Sequence, residues 1–240
     1  LKVENFSTKT LLKDVSFELK EGEILGFAGL MGSGRTELAR ALIAADPKTS
    51  GKVIFKDKEV NIESPADAVD AGIGYLSEDR KKYGLLLIQD VTFNIAVASL
   101  RKFTNKFGFY KKSPAVGIAK EGIKTLGIKT PSERQFLKNL SGGNQQKVVI
   151  SKWLARDCEV LIFDEPTRGI DVGAKDEIYK LLTRLASEGK SIIMISSELP
   201  EVLRLSDRIA VMCEGRLTGI VENKDADQNS IMQLATKFRD

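Results

Sequence analysis

The sequence predicts an α/β fold in which helices cover a parallel sheet, and three observations carry that prediction. Apolar runs of strand length at residues 23–29, 73–76, 160–164 and 191–196 are separated by amphipathic stretches of helical period. These runs are apolar almost without interruption, as strands buried on both faces are. A glycine-rich turn, residues 29–36, leaves the first run and leads into a helical pattern. That strand-turn-helix arrangement turns backbone amides toward one point and suits an anion.

The remaining elements follow in chain order. Val15, Phe17 and Leu19 alternate with Ser16 and Glu18, the pattern of a half-buried antiparallel strand. Helical spacing is expected over 36–45, 143–156 and 175–188, with a short helix near 199–203. Residues 52–55 and 208–213 read as further strands, and 216–221 pairs with the latter across Glu214-Gly215. From about 84 to 140 the chain changes character. It is Lys-rich, its patterning is helical, and it carries Phe103, Phe107 and Phe109 close together, as part of a helical insert or of its packing. The expectation is one domain over 1–240, with a core of about 1–83 and 141–240 and a helical subdomain of about 84–140.

Composition excludes several chemistries. The chain has 240 residues and no histidine. Ser-His-Asp and Cys-His nucleophilic pairs are therefore impossible, as are H-E-x-x-H zinc hydrolysis and a histidine pH switch. Cys158 and Cys213 are too few and too far apart in sequence for a disulfide framework and read as free thiols of a reducing compartment. No apolar run reaches the roughly 18–20 residues that cross a bilayer. A net charge of +4 is modest for this length, so no nucleic-acid partner is expected. The chain opens on Leu1 rather than Met, which suggests a piece of a longer polypeptide.

Carboxylates, hydroxyls, amides, Lys and Arg must then carry the chemistry. Gly29, Gly32, Ser33, Gly34, Arg35 and Thr36 fit the phosphate-binding pattern G-x-x-x-x-G-K-[ST], except that Arg35 stands where lysine is usual. Glycines allow successive amides to face inward, and the Thr36 hydroxyl suits a magnesium ion. Arg35 keeps the charge but replaces a compact ammonium with a broad planar fork. Taken alone, the segment is equally readable as a glycine-rich turn without a ligand. Asp164 and Glu165 end the 160–164 run, where ligands gather in parallel α/β sheets. Asp164 would hold magnesium and Glu165 would act as general base toward an attacking water. The other reading is an Asp-Glu-Pro turn that ends a strand. Ser141, Gly142 and Gly143 precede the 143–156 helix. Ser141 is either a plain N-cap or, with exposed amides beside it, a clamp for a terminal phosphate.

The segment 140–146, L-S-G-G-N-Q-Q, resembles the signature motif of the ATP-binding cassette of ABC transporters. The Asp164-Glu165 strand is similar to that family's Walker B segment, and Gly169-Ile170-Asp171 to its D-loop. Further segments at 29–38, 77–81, 164–175 and 196–202 resemble the C-terminal cassette of the tandem ATPase subunit of bacterial monosaccharide importers of the ribose, galactose and xylose type. The resemblance implies an ABC-type P-loop NTPase fold, a RecA-like core with an antiparallel β part and a helical subdomain. It also implies ATP and Mg2+ as cofactors, with Thr36 and Asp164 on the metal. Implied partners are an N-terminal cassette of the same polypeptide, transmembrane permease subunits and, indirectly, a periplasmic sugar-binding protein. The implied location is peripheral, at the cytoplasmic face of the bacterial inner membrane.

Against that family's pattern three positions depart: Arg35 for lysine, Glu78 where the Q-loop glutamine is expected, and Ser197 at the place of the switch histidine. Two cassettes of this family close head to tail, so Ser141, Gly142, Gly143 and Gln145 would serve the partner's site while Asp171 lies in the D-loop. The departures then weaken only the site built on this chain's own loop. Phe6 is either the aromatic that stacks on adenine or a core residue. The competing functions are a soluble cassette ATPase acting on nucleic acid or ribosomes, and a nucleotide-binding regulatory module that does not hydrolyse.

Overall fold

In the computed structural model, which describes residues 1–104 and 111–238, the chain forms two compact units. The first comprises Leu1–Tyr75, Glu159–Pro166 and Leu182–Asp240, and the second Leu76–Cys158 and Thr167–Leu181. The second unit thus extends beyond the 84–140 segment that composition sets apart. The 143–156 helix joins it because that helix packs on the helices of the insert. Of the three phenylalanines in the insert, Phe103 is buried with Ala96 and Ala115, while Phe107 and Phe109 lie outside the described residues.

The first unit opens with β1 (Lys2–Thr8), β2 (Val15–Glu18) and β3 (Ile24–Gly29), followed by α1 (Arg35–Leu42), β4 (Lys48–Phe55), β5 (Lys58–Val60), α2 (Pro65–Asp70) and β6 (Ile73–Leu76). The second contains α3 (Val91–Ala96), α4 (Lys112–Leu126) and α5 (Gly142–Ala155). The chain then runs through β7 (Val160–Asp164), α6 (Val172–Ser187), β8 (Ser191–Ile195), α7 (Leu199–Leu205), β9 (Arg208–Cys213), β10 (Arg216–Glu222) and α8 (Gln228–Ala235).

Strands β10-β9-β3-β8-β7-β6 form one sheet and β2-β1-β4-β5 a second. β3 lies parallel to both β8 and β9, and β7 parallel to β8. β7 and β8 are buried at every position, which is why they read as unbroken apolar runs. β2 alternates buried and exposed residues against β1, as its sequence predicts. The pairing of β10 with β9 across Glu214-Gly215 is also present. β1 has no strong alternation and is recognised only through its partners, β2 and β4.

One apolar core joins both sheets of the first unit, drawing Val3, Phe17, Phe27, Leu38, Val53, Ile162 and Ile193 together. Phe17 and Phe27 meet edge to face with ring centroids 5.2 Å apart, the geometry aromatic quadrupoles favour. Phe6 belongs to this core at 1% exposure. It therefore offers no face to an adenine ring, and the core alternative is the one observed. The ring lies on the face of β1 that packs into the core shared by the two sheets.

Candidate functional site

The phosphate-type loop is the span between β3 and α1. Gly34 caps α1 with φ of 103°, a left-handed conformation that a Cβ disfavours. A Cβ on Gly29 would lie 2.5 Å from the Met212 carbonyl oxygen and 2.6 Å from Ser33 Oγ. The β9–β10 turn braces the loop, because the Gly215 amide donates to the Ser33 carbonyl at 3.0 Å. Met31, at the loop's tip, is 92% exposed. Ser33 is buried and its hydroxyl has no partner, an orphaned polar atom within the loop. Such an atom costs about 1–3 kcal/mol unless something satisfies it, and a phosphate oxygen is a fitting acceptor.

Behind the loop, Asp164 is 1% exposed. It accepts from Thr36 Oγ1 at 3.2 Å and from the Tyr75 hydroxyl at 2.9 Å. Burial pushes its carboxyl up to about 6, against the opposing pull of these two hydroxyls. The same pairing, with burial as the larger cause, raises the Tyr75 phenol. Thr36 and Asp164 thus present a hydroxyl and a carboxylate, both hard oxygen donors, side by side. Mg2+ binds in this way, taking one or two protein oxygens and completing its shell with water and phosphate. Among the described residues no cluster of three or more His, Cys, Asp or Glu gathers anywhere. The donor set therefore fits a metal shared with a phosphate better than an all-protein cage.

Glu165 follows with φ of 51°, a strained conformation for a residue with a side chain. Its amide is held by the Ile195 carbonyl at 2.9 Å, and its carboxylate accepts from Ser197 Oγ at 3.1 Å. Burial raises the Glu165 carboxyl, with Ser197 and Arg35 pulling the other way. The structure thus brings Glu165 and Ser197 into direct contact. Arg35, 9% exposed, sends Nη1 to the Ser196 carbonyl at 2.5 Å. Burial lowers its pKa while Glu165 and Asp164 support the charge. One arm of the guanidinium is therefore held at the end of β8.

The remaining candidates belong to the second unit. Glu78 pairs with the Arg168 side chain. Ser141 occupies the N-cap position of α5 without a cap bond to the backbone. Its hydroxyl instead accepts from Asn144 Nδ2 at 2.8 Å. Gly142 and Gly143 have packing reasons within the chain. A Cβ on Gly142 would meet Arg80 Nη2 at 2.7 Å and the Gly169 carbonyl at 3.0 Å. One on Gly143 would meet Ala174 Cβ at 2.9 Å. Gln145, expected to serve a partner's site, is 4% exposed and donates to the Leu137 and Leu140 carbonyls at 3.0 and 3.2 Å. It supports the signature segment from beneath, since its position on α5 points it into the unit. Asp171 caps α6, accepting from the Ala174 amide at 2.9 Å.

The family model described as ABC transporter matches residues 12–168. The chain belongs to the ABC transporter family. It is 58% identical over 237 residues to a putative ribose/galactose/methyl galactoside import ATP-binding protein of Burkholderia lata, covering 99% of this chain and 46% of that protein. It is 54% identical over 235 residues to the ribose import ATP-binding protein RbsA of Clostridium perfringens, covering 98% and 47%. The chain thus spans about half the length of the curated relatives it matches. Its fold matches the solved structure of cbiO1 from Clostridium perfringens, part of the ABC transporter complex cbiONQ. That match has a TM-score of 0.79 at 23% identity, over 99% of this chain and 94% of the other. The fold is that of the ATP-binding cassettes of ABC transporters.

Three residues of this ABC-family chain escaped sequence reasoning. Tyr75 reaches Asp164 from β6, where the sequence shows only an apolar run of strand length. Glu201, 3% exposed, accepts from Ser196 Oγ at 2.5 Å. A carboxylate on the inward side of the short helix α7 was the available signal. Arg80 bonds the backbone of the 167–169 loop, and nothing in its local sequence announces that.

Proposed function

We propose that this chain is the C-terminal cassette of a two-cassette ATPase subunit that powers monosaccharide uptake across the bacterial inner membrane. Support comes from the sugar-import relatives, of which the chain matches about half. In this reading, the amides of residues 29–36 and the Ser33 hydroxyl bind the phosphates of ATP. Thr36 and Asp164 hold Mg2+, which when bound neutralises charge on the phosphates. Glu165 takes a proton from the attacking water, and its raised pKa suits that task. Ser197 orients the Glu165 carboxylate through its 3.1 Å bond. An N-terminal cassette, permease subunits and, indirectly, a periplasmic binding protein complete the assembly at the cytoplasmic face.

One observation carries the finer claim that this chain's own site is weak: Arg35 is tied to the Ser196 carbonyl. A cation held there is diverted from the phosphates, and Ser197 supplies a hydroxyl where the family pattern has a histidine. The signature segment Ser141-Gly142-Gly143 keeps its family pattern and would complete the site of the other cassette. Steady-state ATPase of the full-length protein tests this. Ser141→Arg is expected to cut turnover severely and Glu165→Gln to cost less; the reverse order refutes the asymmetry. Brisk hydrolysis by the isolated chain, independent of concentration, refutes the composite site altogether. The same Arg35 contact favours a second reading, nucleotide binding without hydrolysis at this site. Titration with ATP and ADP, with and without Mg2+, separates the two.

A further inference from the structure

Arg80 has no role in the nucleotide chemistry described above, yet its guanidinium links the signature segment to the 167–169 loop. It opens a π-helical turn, Arg80–Gly84, whose first amides are organised by Asp79: its carboxylate accepts from the Lys82 amide at 3.1 Å. The other end is held by the buried Lys152, which donates to the Gly84 carbonyl at 2.9 Å. From this fixed base Arg80 Nη1 donates to the Arg168 carbonyl at 2.8 Å and Nη2 to that of Gly169 at 3.4 Å. The same Nη2 occupies the space that a Cβ on Gly142 would need, 2.7 Å away. Its Nε is buried without a partner, so the side chain keeps this position despite leaving a donor unsatisfied. Two residues earlier, Glu78 pairs with the Arg168 side chain. The 78–80 segment therefore grips the 167–169 loop by both backbone and side chain.

We propose that Arg80 is a positioning residue that sets Gly142 against the 167–169 loop and thereby fixes the surface this chain offers to a nucleotide bound on a partner cassette. The proposal rests on the reading that the signature segment completes a partner's site. Gly142 is bare, on this account, because the Arg80 guanidinium and the Gly169 carbonyl that it holds both lie under it. Arginine suits this place because two separate nitrogens of one rigid planar fork hold the two carbonyls, whereas a lysine ammonium is a single point charge on a flexible stem without that fixed spacing. A methyl group at position 142 would push the guanidinium off its carbonyls, so Gly142→Ala and Arg80→Ala damage the same contact.

The test uses the full-length protein reconstituted with its permease. Arg80→Ala is expected to lower kcat about tenfold with KM for ATP within about twofold, the pattern of a displaced group rather than lost ground-state binding. Arg80→Lys is expected to behave like Arg80→Ala, and it serves as the second variant if the alanine protein does not fold. Gly142→Ala should cost about as much in the parent protein, and clearly less in the Arg80→Ala background, where only its approach to the Gly169 carbonyl remains. Hydrogen exchange of the amides at 168–171 should accelerate in both Arg80 variants. Independent, multiplicative effects of Arg80→Ala and Gly142→Ala overturn the proposal, as does full activity of Arg80→Lys or unchanged exchange. Ser141→Arg is the separate arm. If it leaves turnover intact, the partner-completion reading fails, while hydrogen exchange still decides whether Arg80 holds the loop.

Discussion

The loop-and-carboxylate cluster of the first unit and the signature segment of the second are built on opposite principles. The first is electrostatic. Asp164, Glu165, Arg35, Thr36, Tyr75 and Ser197 meet side chain to side chain or across one carbonyl. Burial raises the pKa of both carboxylates. The second is steric. Gly142 and Gly143 leave room that neighbouring groups fill, and Gln145 and Arg80 hold backbone carbonyls. A charge cluster answers to pH and metal, whereas a packed segment answers to volume. Substitutions should therefore fail differently in the two regions.

The largest effect is expected where volume decides. Gly143→Val places branched carbons where even a Cβ comes within 2.9 Å of Ala174. Overpacking of this kind costs up to about 3 kcal/mol, and thermal melting should fall by several degrees. A melting temperature equal to the parent's would show that the segment is not sterically set. Asp164→Asn should do the opposite. The folded-state pKa of Asp164, about 6, lies above its ordinary 3.8. The native state therefore keeps a proton that the unfolded chain releases, and stability falls as pH rises from about 4 to 6. Above that window the charged form is a burden of about 2–3 kcal/mol. Asparagine should relieve about 2 kcal/mol of it at pH 7 and abolish stabilisation by Mg2+ with ATP. Calorimetry between pH 4 and 8, with and without the metal, checks both; an equally pH-dependent asparagine variant would refute the assignment.

Gln145→Leu tests the steric side more gently. It strands the Leu137 and Leu140 carbonyls that the amide now serves, at about 1–2 kcal/mol. Hydrolysis should suffer more than nucleotide affinity, because the groups proposed to bind the nucleotide lie in the other cluster. Equal losses in both would blur the distinction drawn between the regions. Ser197→Ala should be the mildest, about 0.5 kcal/mol or less for one exposed hydroxyl bond. Its mark is a further rise in the Glu165 pKa, since a bond that favours the charged carboxylate is lost. A pH profile of hydrolysis that does not move would remove Ser197 from the account.

Sequence alone carried the parallel strands, since β7 and β8 are buried at every position and their composition says so. It also located the phosphate-type loop and the Asp164-Glu165 pair, because a glycine turn between strand and helix and acids at a strand's end are local patterns. It was silent on β1, whose hydrogen bonds go to β2 and β4 and whose Phe6 ring is buried in the core.

What the sequence determined, then, was the identity and order of the chemical groups, including the absence of any histidine. Periodicity and motif spacing are properties of neighbours along the chain, and they survive without coordinates. Only the tertiary structure decided where those groups point. It turned Arg35 to the Ser196 carbonyl, set Ser197 against Glu165 and placed Tyr75 on Asp164. It also gave Gly142 a neighbour, Arg80, that is 62 positions away in the chain by the two residue numbers. Contacts of that span depend on which strands pair and which helices pack, and no local pattern encodes them. The missing histidine is a sequence fact; the hydroxyl that meets the Glu165 carboxylate is a fact of the fold.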